Sequence, residues 1–260
     1  MDAPYTVVRG RDAIIAASGG DPFVSCFAAT SATGIAADGA VAWHRRSTGR
    51  RLLLGYGQPA AAARLCEAAV AEFRPHRITV PAAVLGHLPD SIRPSGVGQW
   101  VWFHTRTAPP VTDAEGACRW FRDADHEELE ALIERAFPGA SNRPDAAVPG
   151  QRWFGATDDD GRIVACGVAS TGDGIGPMLG SICVHPGARR RGLGSAITSW
   201  VTRQLLQDGH PMVALGSYVG EDATHRLYRR LGYRDTVTLK SGSLEPPIES
   251  LRDFMPSAAG

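Results

Sequence analysis

The sequence has no long hydrophobic run, no excess of either charge and no paired cysteines. No apolar stretch approaches the roughly 20 residues that a membrane-spanning helix needs, so no membrane partner is expected. The N-terminus, Met1-Asp2-Ala3-Pro4-Tyr5, has neither a basic segment nor an apolar one, so no signal peptide is expected. Basic and acidic residues balance at 27 each. A chain without a global field has no built-in attraction for nucleic acid or anionic lipid. The five cysteines, Cys26, Cys66, Cys118, Cys166 and Cys183, are scattered, odd in number and form no Cys-x-x-Cys. That argues against a disulfide framework and against a zinc site. The expectation is a cytoplasmic protein without a metal, whose thiols behave mainly as small buried hydrophobes.

What is present centres on Val184-His185-Pro186-Gly187-Ala188-Arg189-Arg190-Arg191-Gly192-Leu193-Gly194. Residues 178–184 before it are apolar and read as a buried strand. After it, Ile197, Trp200, Val201 and Leu205 recur at helical spacing. The stretch is therefore a strand-to-helix turn rich in glycine and arginine. Free N–H groups at a helix start form an anion site, and arginines add charge-assisted hydrogen bonds. Two familiar phosphate loops fail on residue identity. Leu193-Gly194 stand where a P-loop needs Lys and Ser/Thr, and Ile197 stands where a dinucleotide fingerprint needs its last glycine.

At 260 residues the chain has room for one large domain or two ordinary ones. In the first hundred residues, 23–29 reads as a strand or a short buried segment and 36–44 as a strand. A strand over 51–56, a helix over Pro59–Phe73, and strands over Arg77–Pro81 and 99–107 follow. Pro59 suits a first helical turn. Pro109-Pro110 marks a linker, dividing residues 1–110 from 115–245, with a tail from 246 to 260. Beyond it, 118–121 reads as a strand. Asp125 reads as the N-cap of a helix carrying Leu129, Leu132 and Ile133 on one face, with Glu128 as its box partner. Residues 138–150, with three prolines, form a long loop of the kind that borders functional sites. Asp160-Gly161 marks a hairpin turn, and 172–176 reads as a flexible connector. A strand over 211–216, a helix over 223–231 and a closing strand over 234–240 complete the chain.

The turn, with Val184-His185-Pro186 followed by Arg189-Arg190-Arg191-Gly192-Leu193-Gly194, resembles the acyl-CoA-binding turn of the GCN5-related N-acetyltransferase (GNAT) superfamily. Its pattern is Arg/Gln-x-x-Gly-x-Gly/Ala. A second segment, Glu221-Asp222-Ala223 through Leu227-Tyr228 to Gly232-Tyr233, is similar to the family's Asn-x-Ala-x-x-x-Leu-Tyr-x-x-x-Gly-Phe/Tyr, with Glu221 in place of Asn. The resemblance covers roughly residues 115–245. It implies an α/β (α+β) fold with a mixed central sheet flanked by helices. The order of elements in residues 1–110 echoes the second half of that fold without the arginines. Two readings stay open there, a degenerate GNAT-like half and an unrelated α/β cap.

The resemblance implies an acyl-CoA-dependent N-acyltransferase, with acetyl-CoA as acyl donor and a small-molecule or peptide amine as acceptor, attacking directly in a ternary complex. The rival is a non-catalytic acyl-CoA-binding sensor. Backbone N–H groups of Ile182, Cys183 and Val184 would hold the pantetheine and the thioester carbonyl. Arg189 takes the family's Arg/Gln position, and Arg190, Arg191, Gly192, Leu193, Gly194 and Ser195 would surround the diphosphate. Tyr228 fits the general acid; the alternative is a packed core tyrosine. Glu221 is either a base for the amine or merely solvated. The acidic residue common near the start of the strand before the turn is absent, since Met178, Leu179 and Gly180 stand there. Acceptor and oligomeric state are not encoded in any pattern found.

Overall fold

The computed structural model describes residues 4–47 and 50–244; the tail expected from residue 246 lies outside the described residues. The first half of the chain runs β1 (Thr6–Arg9), α1 (Arg11–Ala17), α2 (Pro22–Phe27), β2 (Thr33–Ala37), β3 (Ala40–Ser47), β4 (Arg50–Gly57), α3 (Pro59–Phe73), β5 (Arg77–Pro81), α4 (Ala82–Leu85) and β6 (Ser95–Thr105). The second half repeats that order. It runs β7 (Cys118–Trp120), α5 (His126–Ala136), β8 (Gln151–Thr157), β9 (Ile163–Ser170), β10 (Met178–Val184), α6 (Leu193–Gln207), β11 (Val213–Tyr218), α7 (Asp222–Arg230) and β12 (Arg234–Ser243). The residues between the halves carry no helix or strand until a 3₁₀ turn at Asp113–Ala117.

All twelve strands join one sheet, in the order β1-β2-β3-β4-β5-β12-β6-β11-β10-β9-β8-β7. The order shows an exchange. β12, the last strand of the second half, pairs with β5 from Leu239↔Pro81 to Ser243↔Arg77. β6, the last strand of the first half, pairs with β11 from Val213↔Thr105 to Tyr218↔Trp100. The two exchanged strands pair with each other at the centre. The halves are therefore joined by backbone ladders as well as by side chains.

Alternation along the strands sends successive side chains to opposite faces. Trp43, Leu54, Trp102 and Ala214 pack with Ile14, Phe23 and Phe27 of α1 and α2. Leu53, Ile78 and Val80 pack instead against α3. In the second half Trp153, Cys166, Val168 and Cys183 pack under α5. Phe154, Ala156, Leu179 and Leu215 pack under α6 and α7 with Ile197, Val201 and Tyr228. A buried aliphatic or aromatic side chain contributes about 1.5–3 kcal/mol, so four such clusters fix which face each helix covers.

Local chemistry explains where the structure departs from pattern reading. Residues 22–27 are a helix, because the Asp21 side chain accepts from the N–H groups of Phe23 and Val24 and Pro22 occupies its first turn. Residues 36–44 are not one strand. Asp38 and Gly39, both at positive φ, turn the chain between β2 and β3, and paired positive φ suits a two-residue hairpin turn. Asp125 does not cap α5 with its side chain. Its carboxylate pairs with Arg119, which together with hydrogen bonds holds its pKa down to about 2. Glu128 accepts from the N–H of Ile163 on β9 at 2.7 Å. The 172–176 connector is anchored: Thr30 N–H donates to Asp173 O and Gly176 N–H to Cys26 O. Among the described residues no helix is long and apolar enough to cross a membrane.

Candidate active site

β10 and β11 are parallel and pair only at Met178↔Ala214 and Leu179↔Leu215. Beyond that point β10 bulges, its register against β9 shifting between Gly180 and Cys183. β11 stays straight against β6 through Tyr218. The edges of 180–184 and 216–218 therefore face each other across a gap without a ladder. An unpaired backbone edge inside a sheet is a ready set of donors and acceptors for a ligand. Ile182 and Val184 turn their side chains to the α6–α7 cluster, while Cys183 turns to the α5 cluster. What these three residues offer the gap is backbone.

The bulge is held by a residue that no sequence pattern singles out. Ser181 is buried and lies at φ 50°, a left-handed conformation that costs a non-glycine roughly 1–2 kcal/mol. Its hydroxyl accepts from Asn142 N–H at 3.2 Å and donates to Asn142 O at 3.1 Å. Asn142 belongs to the long 138–150 loop. Next to it, Arg143 donates to Glu130 and Glu134 on α5 and to Pro138 O. The loop thus ties α5 to the strained point of β10. A bulge is a property of strand pairing, so it left no local sequence signal.

The gap ends at the arginine turn. His185 Nδ1 accepts from Gly187 N–H at 3.2 Å and shapes the turn. Arg190 and Gly192 both lie at positive φ, and a Cβ added at Gly192 would meet nothing within 4 Å. The six N–H groups from Arg190 to Ser195 have no acceptor among the described residues. Arg190 and Arg191 are exposed. Arg189 points elsewhere, its guanidinium donating at 3.4 Å to Val184 O and to Ala136 O at the end of α5. It holds the turn against the helix. Six orphan donors, two uncommitted guanidinium groups and open space over Gly192 fit a diphosphate.

The second motif closes on the same place. A methyl at Gly194 would sit 3.8 Å from Leu227 Cδ1 and 3.9 Å from Val184 Cγ2, so the turn, α7 and the end of β10 converge. Tyr228, one residue on, is buried with its ring 5.7 Å from Phe103 and 6.0 Å from Tyr233. Tyr233 gives its hydroxyl to Thr202 at 2.6 Å. Tyr228's hydroxyl has no such partner among the described residues. Burial, and then the charge of Glu221, push its pKa upward, so the hydroxyl keeps its proton. Glu221 is exposed at the N-cap of α7 and makes no side-chain hydrogen bond. Cys183 and Cys166 lie 3.5 Å apart, Sγ to Sγ. The hydrogen bond with the Cys166 thiol, and then the charges of Arg189 and Arg143, lower the Cys183 pKa against its burial, while the bond to Cys183 and burial raise that of Cys166.

The other mouth of the gap is built partly by the first half. Trp100 on β6 lies over Gly216, where a Cβ would be 2.8 Å from its Cε3 and 3.5 Å from Met178 Cε. Trp100 Nε1 donates to Ser241 Oγ at 2.9 Å, fixing the indole. Tyr218 stands beside it, half exposed. Sequence reasoning missed Trp100 because only the strand exchange brings it here. Among the described residues no group of three or more His, Cys, Asp or Glu is placed to hold a metal ion.

No curated protein matches the chain. The acetyltransferase (GNAT) family model matches residues 115–233. Several solved structures share the fold across both halves. A putative GNAT-family acetyltransferase from Novosphingobium aromaticivorans is 19% identical, with 88% of this chain and 95% of that chain covered at a TM-score of 0.54. A GCN5-related N-acetyltransferase from Sphaerobacter thermophilus is 18% identical, with 96% and 99% covered at 0.55. A Drosophila protein is 16% identical, with 91% and 86% covered at 0.60. The chain's C-terminal half thus matches the acetyltransferase (GNAT) family, and its N-terminal half aligns with the same fold in these relatives.

Proposed function

We propose that this protein transfers an acetyl group from acetyl-CoA to a primary amine, on a small molecule or a peptide, by direct attack with donor and acceptor bound together. The observation that carries this reading is the unladdered gap between β10 and β11, with orphan N–H groups at one end and, on the helix that closes on that end through Leu227, the unclaimed hydroxyl of Tyr228. The donor supplies an activated acyl group on a thiol. The N–H groups of 190–195, with Arg190 and Arg191, hold its diphosphate. Backbone N–H groups of the freed β10 edge stabilise negative charge growing on the carbonyl oxygen, the term that commonly contributes most to acyl transfer. Tyr228, kept neutral by burial, gives its proton to the departing thiolate. Glu221, exposed at the start of α7, takes a proton from the attacking amine directly or through water.

The acceptor enters on the side of Trp100, Tyr218 and the 138–150 loop. The first half then supplies one wall of the acceptor site through β6, without a donor turn of its own. Its equivalent turn, Gly55-Tyr56-Gly57-Gln58, has no arginine, and the Gln58 side chain caps α3 by accepting from the N–H groups of Ala60 and Ala61. The donors that would face a diphosphate there are already used.

The test is thiol release from acetyl-CoA against a panel of amines, with acetylated product identified by mass spectrometry. Acetylated amine at rates above the no-enzyme control is expected. Tight binding of acetyl-CoA with no turnover on any amine would replace this reading with a non-catalytic acyl-CoA sensor.

A further inference from the structure

A cavity of about 450 Å³ lies where the halves meet, lined by residues of α1, α2, the 171–176 connector, the segment just before β11 and the segment after β6. It is separate from the donor turn. Gly176 and Met212 in its wall precede β10 and β11, whereas the arginine turn follows β10. Seven strand residues at about 3.3 Å each put the two roughly 20 Å apart. Between them stand the Met178↔Ala214 and Leu179↔Leu215 pairs that close the gap.

The lining is one-sided in charge. Arg11, Arg106 and His210 reach it from three separate elements, and no carboxylate lines it. Arg11 commits only Nη1, to Ala28 O at 2.7 Å and Gly174 O at 2.8 Å, leaving Nη2 and Nε without acceptors among the described residues. Those two bonds fix the guanidinium across the seam. Arg106, the His210 ring and the Ser25 hydroxyl have no hydrogen-bond partner among the described residues. The nearby Asp173 carboxylate is taken up by the backbone N–H and hydroxyl of Ser31. Ile15 and Met212 supply an apolar wall. A concave surface with fixed donors of one sign concentrates anions, and planar guanidinium groups suit carboxylate and phosphate oxygens.

We infer that this cavity is a second ligand site, which takes a small molecule with a carboxylate or phosphate head and an apolar body. The head lies among Arg11, Arg106, His210 and Ser25, and the body against Ile15 and Met212. Because Arg11 and Gly174 come from different halves, the ligand bridges the seam, whatever the transferase site accepts.

The experiment is calorimetric titration of the full chain with inorganic phosphate and with phenyl phosphate, at constant ionic strength set by sodium chloride. Phenyl phosphate should bind more tightly than phosphate. The double variant Arg106→Gln/His210→Gln should weaken phenyl phosphate at least about tenfold, since two of its charge-assisted donors are lost. Neither side chain has an internal partner, so its melting temperature without ligand should match the parent; if the pair melts early, Arg106→Gln alone is titrated instead. Arg190→Gln/Arg191→Gln should remove any phosphate bound at the donor turn and leave one phenyl phosphate site of the parent's affinity, the one that Arg106→Gln/His210→Gln weakens. The inference is overturned if the parent binds neither probe, if the pocket variant binds like the parent, or if only the turn variant loses binding.

Discussion

Tyr228→Phe is the substitution that best separates catalysis from packing. The ring stays between Phe103 and Tyr233, and the lost hydroxyl makes no internal hydrogen bond, so nothing is left unsatisfied. Removing it should change stability by no more than about 0.5 kcal/mol, the usual range away from packing and network defects. Turnover should fall by roughly ten- to a thousand-fold, as positioned acid catalysis contributes, equivalent to about 1.4–4 kcal/mol of barrier. Affinity for acetyl-CoA should stay nearly constant, because the proton matters as charge develops on sulfur. The raised pKa gives a pH signature of definite sign. An acid works only while protonated, so in the parent this group should cause no loss of rate as pH rises to the ordinary tyrosine value of about 10. The control is Tyr233→Phe. It breaks a buried bond to Thr202, should cost about 1 kcal/mol, and should leave turnover nearly intact. Initial rates with the best amine, acetyl-CoA titration and thermal melting measure all of this. Full activity in Tyr228→Phe would demote Tyr228 to a core residue. Binding and turnover lost together would make it a donor-holding residue.

Gly192→Val should weaken CoA at least tenfold and lower stability by about 1–3 kcal/mol, because φ is 78° and a side chain would fill the turn. Gly209→Val, with φ 91° and the same open surroundings, should show the strain without the binding loss in calorimetry. Ser181→Ala should destabilise by about 1–3 kcal/mol, since it strands the Asn142 backbone groups. Ser181→Gly should be milder by roughly 1 kcal/mol, having relieved the left-handed strain; equal melting of the two would refute the strain argument. Arg203 and Glu115 form a partly buried ion pair, and Arg203 also donates to Pro109 O and Pro110 O. Arg203→Ala should cost about 1–3 kcal/mol in chemical denaturation, since Glu115 loses its charged partner and keeps only the Thr112 N–H. Residues 1–110 expressed alone should fail to fold, because β5 loses β12 and β6 loses both neighbours. A cooperative unfolding transition from that fragment would contradict the exchange.

The sequence by itself determined the features whose physics is local. Residues 178–184 are a strand, and the run Arg189 to Gly194 must turn into a helix with free N–H groups, because its glycines and neighbouring periodicity leave no other regular form. The Pro59–Phe73 helix followed from Pro59 and apolar spacing. Two further signals are local: Asp21-Pro22 starts the helix in which the short buried segment lies, and Asp38-Gly39 is a hairpin turn that splits the strand expected over 36–44. What only the tertiary structure decided depends on groups far apart in sequence. The gap between β10 and β11 exists because Asn142 pins Ser181, a contact 39 residues long that no window can see. Arg189 takes the motif's Arg/Gln position, and what its guanidinium touches, Ala136 O, lies 53 residues away. Trp100 stands over Gly216 only because β6 crosses into the second half, and strand order is set by side-chain packing on two faces rather than by the alternation that marks a strand.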